Sequence, residues 1–301
     1  MTPDVTPFHH GPTGSWSYVV SDPATREAAV IDPVLDYDAR AARTSTAAAD
    51  ALVAHCRGHG LHVRWLLETH AHADHLSAAQ HLKRALGGEV AAGRGVTDVQ
   101  RTFKRILGLE DDFAPDGRHF DRLLDDGETL PLGAMRIEVL ATPGHTPDGV
   151  SFRVGDAAFI GDTLFMPDAG SARCDFPGGD AAVLYRSVRE RLYALPPATR
   201  LFVCHDYPPG GRAPACETTV AAQRRTNVHL RDGTEETEFV RLRRERDAAL
   251  DVPNLLIPAV QVNLRAGHLP PAEADGRSYL RVPLNVFGRD PVAPGRQEDR
   301  P

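Results

Sequence analysis

The stretch LLETHAHADHLSAAQHL, residues 66–82, carries four histidines and an aspartate. Three of the histidines and the aspartate fall together at His70, His72, Asp74 and His75. In an extended segment, residues two apart share a face. The spacing therefore predicts that His70, His72 and Asp74 look into one cavity, with His75 reaching in from the turn that follows. Imidazole with carboxylate is a donor set for zinc, iron or manganese. A packed core without a metal would bury four such groups only at high cost.

The cluster needs partners from elsewhere to close a coordination sphere. A lone histidine behind a strand is ordinarily just a satisfied polar residue. Beside this cluster, however, His145 in TPGHTPDG, Asp162 in GDTLF and His205 in CHDY become candidate ligands. Glycine and proline around His145 let backbone approach closely and fix a tight loop.

The elements that must position these groups follow from the hydrophobic pattern. SWSYVVSD and REAAVIDP read as a hairpin, joined by turn-forming Ser, Asp and Pro. Residues 45–60 read as a helix, with Ser45 or Thr46 as N-cap and Gly58 or Gly60 as stop. HVRWLLET reads as a buried strand that ends where the cluster begins. Leu76, Ala79, Leu82 and Leu86 then recur at helical spacing before Gly87-Gly88. The second half repeats this alternation of strands, loops and helices. It has strands around MRIEVLATPGHTPDGVSFRV, a helix over residues 180–194 with Asp180 near its N-cap, and a strand in TRLFVCHDY. Every candidate ligand thus follows a strand end, where functional groups of layered α/β proteins collect.

From residue 212 the texture changes to charged helices and a Pro-punctuated apolar run. The expected organisation is a core over 1–211, an extension over 212–287 packed on the same domain, and a disordered tail over 288–301. Arg241, Arg243, Arg244 and Arg246 alternate with acids and read as a solvated helix face. The apolar C-terminal run needs cover, from within the chain or from a second copy in a homodimer.

A net charge of −7 with no basic block argues against nucleic acid and anionic membrane as partners. An anionic substrate must then be held by a few local cations. No apolar run has the length of a membrane span, and the N-terminal residues lack the pattern of a signal peptide. Cys56, Cys174, Cys204 and Cys216 form no C-x-x-C pair and do not read as a disulfide framework. Together these features lead us to expect a cytoplasmic protein.

T-H-x-H-x-D-H at Thr69–His75, followed by His145, Asp162 and His205, resembles the metallo-β-lactamase superfamily over residues 8–210. The resemblance implies an αββα sandwich with a metal site at one edge between the sheets. Asp32 in VIDP matches an aspartate that supports the site loops. The superfamily's full ligand set is present. His70, His72 and His145 would hold one zinc and Asp74, His75 and His205 a second, bridged by Asp162, as in glyoxalase II, a hydrolase of glutathione thioesters.

Other segments, LFMPDAGSARCDFPGGDA, CHDYPPGGR and PAVQVNLRAGHLP, resemble the persulfide dioxygenase branch, in its bacterial form without a rhodanese domain. That branch implies one Fe(II) per chain on His70, His145 and Asp162. His72, Asp74, His75 and His205 then orient ligands and water. A two-His, one-carboxylate face leaves positions open for a persulfide sulfur and O2. The implied substrates are glutathione persulfide and O2. Arg173 matches an arginine near the site, expected either to meet a glutathione carboxylate or to hold its loop through Asp175. Tyr207 and Arg212 are further candidate substrate contacts. Ligand identity alone does not separate iron from two zincs. A non-catalytic persulfide sensor would need a DNA-binding or partner module, and no helix-turn-helix or basic patch is apparent.

Overall fold

The computed structural model describes residues 2–288. All of the expected tail except Gly288 lies outside the described residues. Two six-stranded sheets pack face to face. The first runs Asp4–His10, Ser15–Ser21, Glu27–Ile31, His62–Glu68, Glu89–Gly93, Arg122–Leu124. The second runs Thr129–Leu132, Met135–Ala141, Val150–Val154, Ala157–Phe159, Arg200–Phe202, Glu217–Thr219.

Period-two alternation explains the layers. Tyr18, Val20, Ala29, Ile31, Trp65 and Leu67 point between the sheets, against Val139, Phe152 and Phe159. Their neighbours Val19, Val30 and Leu66 point the other way, onto the helices Ala47–Gly58, Ala79–Leu86 and Val96–Leu107. The second sheet's outer face carries Ala158, Ile160 and Leu201 against Leu184, Val188 and Phe239. The result is the expected αββα sandwich, with helices outside both sheets.

The predicted hairpin forms, Ser15–Ser21 pairing antiparallel with Glu27–Ile31. The buried strand His62–Glu68 then pairs parallel with it, Ile31 opposite Leu67. Thr46 occupies the N-cap position of the first helix, but its hydroxyl donates to Asp50 rather than capping the backbone. Asp180 caps as expected, accepting from Ala182 and Val183 N–H at 2.7 and 3.0 Å. Beyond Arg186 that helix widens into a π-type turn, Ser187–Leu192.

One helix starts later than its periodicity suggests. Leu76 and Ser77 pair with Leu35 and Val34 as a short strand, and the helix runs Ala79–Leu86. The apolar C-terminal run is covered within the chain: helix Leu256–Asn263 sets Ala259 and Val262 against Leu76 and Leu35. Among the described residues no helix is long and apolar enough to cross a membrane. All four cysteines are free thiols.

Candidate metal centre

The loop after His62–Glu68 brings the histidine cluster to one edge of the sandwich, and loops of the second sheet bring the rest. His145 follows Met135–Ala141, Asp162 follows Ala157–Phe159, and His205 follows Arg200–Phe202. Close approach requires glycine here. A Cβ on Gly144, at φ +135°, would lie 2.4 Å from the Leu184 backbone. A Cβ on Gly161, at φ +50°, would lie 2.6 Å from Thr69 Oγ1.

Two groups of ligand atoms result, each within 4.8 Å of one another. The first is His70, His145 and Asp162. His70 Nε2 and His145 Nε2 lie 3.9 and 3.7 Å from Asp162 Oδ2. Atoms bound to a common ion at ~2.1 Å stand about 3–3.5 Å apart, so a small contraction around a metal suffices. Both imidazoles have their other nitrogen engaged. His145 Nδ1 donates to the Arg173 carbonyl at 2.6 Å, and His70 Nδ1 lies 3.1 Å from Thr69 Oγ1. That leaves each Nε2 as the free lone pair. His70 Nε2 and Asp162 Oδ1 are buried without a hydrogen-bond partner, as ligand atoms facing a metal position would be.

The second group is His72, Asp74, His75 and His205. Asp74 Oδ2 lies 3.0 Å from His205 Nε2, 3.2 Å from His75 Nδ1 and 3.3 Å from Ser15 Oγ. His75 Nε2 and both nitrogens of His72 and His205 lack an aligned hydrogen bond, so this group also has ligand character. Asp162 joins the two groups, its Oδ1 lying 3.7 Å from His205 Nε2.

Burial pushes the imidazoles of His70 and His72 well below their ordinary protonation range, which keeps them neutral donors. Burial alone would raise the Asp74 carboxyl, but His205 and His75 hold it well below the usual range. His205 moves upward because Asp162 and Asp74 outweigh its burial.

Asp32 supports the loop as expected. Held at φ +49°, it accepts Thr69 N–H at 2.7 Å and the Thr69 hydroxyl at 2.9 Å, and its Oδ1 lies 3.0 Å from His72 Nε2. Two further supports are not apparent from the sequence. Buried Asp148 accepts the Ala71 N–H at 2.8 Å, between two ligand histidines. Asn263, from the C-terminal helix, donates to the His72 and His75 carbonyls at 2.9 and 2.8 Å and accepts Ser77 N–H at 2.8 Å. Asp148 stands three residues after His145 in TPGHTPDG, and that proximity is its one signal. Asn263 has no local signal beyond sitting in PAVQVNLR.

A cavity of about 610 Å³ opens onto the centre. His145, Asp162 and Asp74 line it, whereas His72, His75 and His205 are fully buried behind. Tyr207 lines it too, 55% exposed, its ring stacked on His205. Arg173 lines it, but its guanidinium grips Asp175 at 2.6 and 2.7 Å and the Asp251 carbonyl at 2.7 Å. Arg212 does not line this cavity: Asp168 and Asp206 hold its guanidinium at 2.5–2.8 Å. The expected solvated arginine face also needs correction. Arg243 is 3% exposed and paired to Asp247 at 2.7 Å, because its helix packs inward at that position.

The metallo-β-lactamase superfamily model matches residues 10–205. A probable metallo-hydrolase of Burkholderia pseudomallei is 54% identical over 93% of this chain and 98% of its own length. The human mitochondrial persulfide dioxygenase ETHE1 is 31% identical, covering 84% of each chain. The crystal structure of ETHE1 from Myxococcus xanthus superposes with a TM-score of 0.70 at 28% identity, over 88% of this chain and all of the other. The chain spans 65% and 66% of the length of two further bacterial relatives. Matched on both sides of the metal centre and built on the same sandwich, this chain belongs to the metallo-β-lactamase superfamily.

Proposed function

We propose that the chain is a mononuclear non-haem Fe(II) persulfide dioxygenase, converting glutathione persulfide, O2 and water to sulfite and glutathione. The observation that carries the reading is the position of the cavity. His145 and Asp162 of the first group line it, whereas of the second group only Asp74 reaches it and the three histidines lie buried behind. The resemblance to persulfide dioxygenases over most of the chain supports the same choice.

His70 Nε2, His145 Nε2 and Asp162 Oδ2 would hold the iron, which supplies redox chemistry and open positions for a sulfur anion and dioxygen. The protein's own contribution is orientation. The Arg173 carbonyl and Thr69 hydroxyl fix the two imidazoles, and Asp32 and Asp148 fix the loop that carries His70. Tyr207, at the cavity wall, offers its hydroxyl to the substrate backbone.

A second reading is a di-zinc hydrolase of S-acylglutathione thioesters. It is favoured by the buried, unpartnered nitrogens of His72, His75 and His205 and by the metallo-hydrolase name of the Burkholderia relative. The deciding experiment is O2 consumption by anaerobically iron-loaded protein given glutathione persulfide, with sulfite assayed in parallel. Uptake matched by sulfite is expected. No uptake with iron bound, together with turnover of S-lactoylglutathione by protein holding two zincs, would overturn the assignment.

A further inference from the structure

The cavity wall carries three arginines: Arg173, Arg243 and Arg246. Two are committed. Arg173 is held by Asp175 and the Asp251 carbonyl. Arg243 is held by Asp247 and the Ser171 carbonyl at 3.1 Å. Arg246 is exposed and, among the described residues, has neither an ion pair nor a side-chain hydrogen bond. It sits one turn beyond Arg243 on the same face of helix Glu236–Asp247. The buried Arg243–Asp247 pair therefore fixes where Arg246 stands. Asn254 lies on the same wall, also exposed and without a side-chain hydrogen bond among the described residues.

We propose that Arg246, with the Asn254 amide on the same cavity wall, is the anchor for a carboxylate at the far end of the substrate's thiol carrier, whose sulfur reaches His145 and Asp162. The proposal rests on the reading of this cavity as a site for glutathione-based substrates. Its volume of about 610 Å³ suits a tripeptide. A chain with net charge −7 offers such an anion no general attraction, so a local uncommitted cation must supply it. A guanidinium presents two parallel N–H groups to a carboxylate, and the Asn254 amide on that wall offers a further donor. The preferred substrates are then acidic thiol peptides rather than neutral persulfides.

The test is calorimetric titration of glutathione into anaerobic, metal-loaded protein, comparing wild type, Arg246→Gln and Arg246→Lys. Glutathione diethyl ester serves as the probe lacking carboxylates. Loss of a partly exposed charge pair predicts a roughly two- to fivefold weaker Kd for glutathione in Arg246→Gln. Arg246→Lys should fall between, and the diethyl ester should bind wild type and Arg246→Gln alike. Equal glutathione affinity in wild type and Arg246→Gln overturns the proposal, as does failure of the wild type to bind glutathione at millimolar concentration. A Kd shift in protein that shows no persulfide-dependent O2 uptake keeps the anchor and removes only the dioxygenase reading.

Discussion

Two groups of ligand-type side chains sit side by side in this molecule, and they differ in their surroundings. His145 and Asp162 meet the cavity with His70 buried next to them, and the far nitrogens of both imidazoles are engaged by Thr69 and the Arg173 carbonyl. His72, His75 and His205 are sealed in, and Asp74 is drawn onto His205, His75 and Ser15. The same residue types can therefore play two parts. One group is poised to share a metal with substrate, and the other is poised to hold a carboxylate and steady its neighbours. Asp162 belongs to both, one oxygen facing each group.

That double membership gives the largest expected effect. Asp162→Ala should abolish iron binding, O2 uptake and sulfite formation together, read as iron per chain and oxygen-electrode rate. His75→Ala sharpens the comparison. If the second group only steadies the first, stoichiometry stays near one iron at saturation, with affinity reduced roughly 10–100-fold. A fall from two metals to one in this variant would instead make the second group a metal site of its own.

The next effect down comes from a residue that touches no metal. Asp148 takes the Ala71 N–H between His70 and His72. Asp148→Ala leaves that buried donor unpaired and frees the loop. Iron affinity should drop roughly tenfold or more, as is typical when a ligand's supporting group is lost. Unchanged affinity in competition with a chelator would show that the loop is held without it.

Asp148 also marks the limit of the sequence. The ligands were legible because chemistry concentrated them: H-x-H-x-D-H behind a buried strand has few other uses. The strands were legible because SWSYVVSD and HVRWLLET are near-continuous apolar runs, as strands buried on both faces are, whereas the sandwich itself followed from the resemblance to the superfamily. What local pattern does not encode is pairing across the chain. Ala71 meets an aspartate 77 residues away, and the His72 carbonyl meets an asparagine 191 residues away. Arg243 looked solvated because its neighbours Arg241, Arg244 and Glu245 are charged, yet its own position faces inward. The helix after the cluster began late because Leu76 and Ser77 found strand partners in Leu35 and Val34, a tertiary contact that overrode periodicity.

Asn263 supplies a smaller effect, on stability more than on chemistry. Its amide closes the His72 and His75 carbonyls and the Ser77 N–H, all buried. Asn263→Ala strands these groups at a cost of about 1–3 kcal/mol. For a chain of this size, each kcal/mol moves Tm by roughly 2–4 °C, which differential scanning fluorimetry resolves. Because both carbonyls belong to the second group, metal-free protein should lose stability as well as the loaded form. A loss seen only with metal bound would mean that Asn263 serves the ion rather than the loop.

The smallest effect separates two of the three arginines that line the cavity, Arg173 and Arg246. Arg173 spends its guanidinium on Asp175 and the Asp251 carbonyl, and it orients His145 through its own backbone carbonyl, which no side-chain change removes. Arg173→Lys keeps a charge but loses the two-pronged grip on Asp175. A partly exposed pair of this kind contributes up to about 1 kcal/mol, so a modest Tm decrease is expected. Glutathione affinity should stay within about twofold of wild type, since the committed side chain has little left to offer a ligand. A loss of affinity matching that of Arg246→Gln would mean that Arg173 releases Asp175 when substrate enters. The carboxylate would then be held by an exchange of partners rather than by a cation kept free for it.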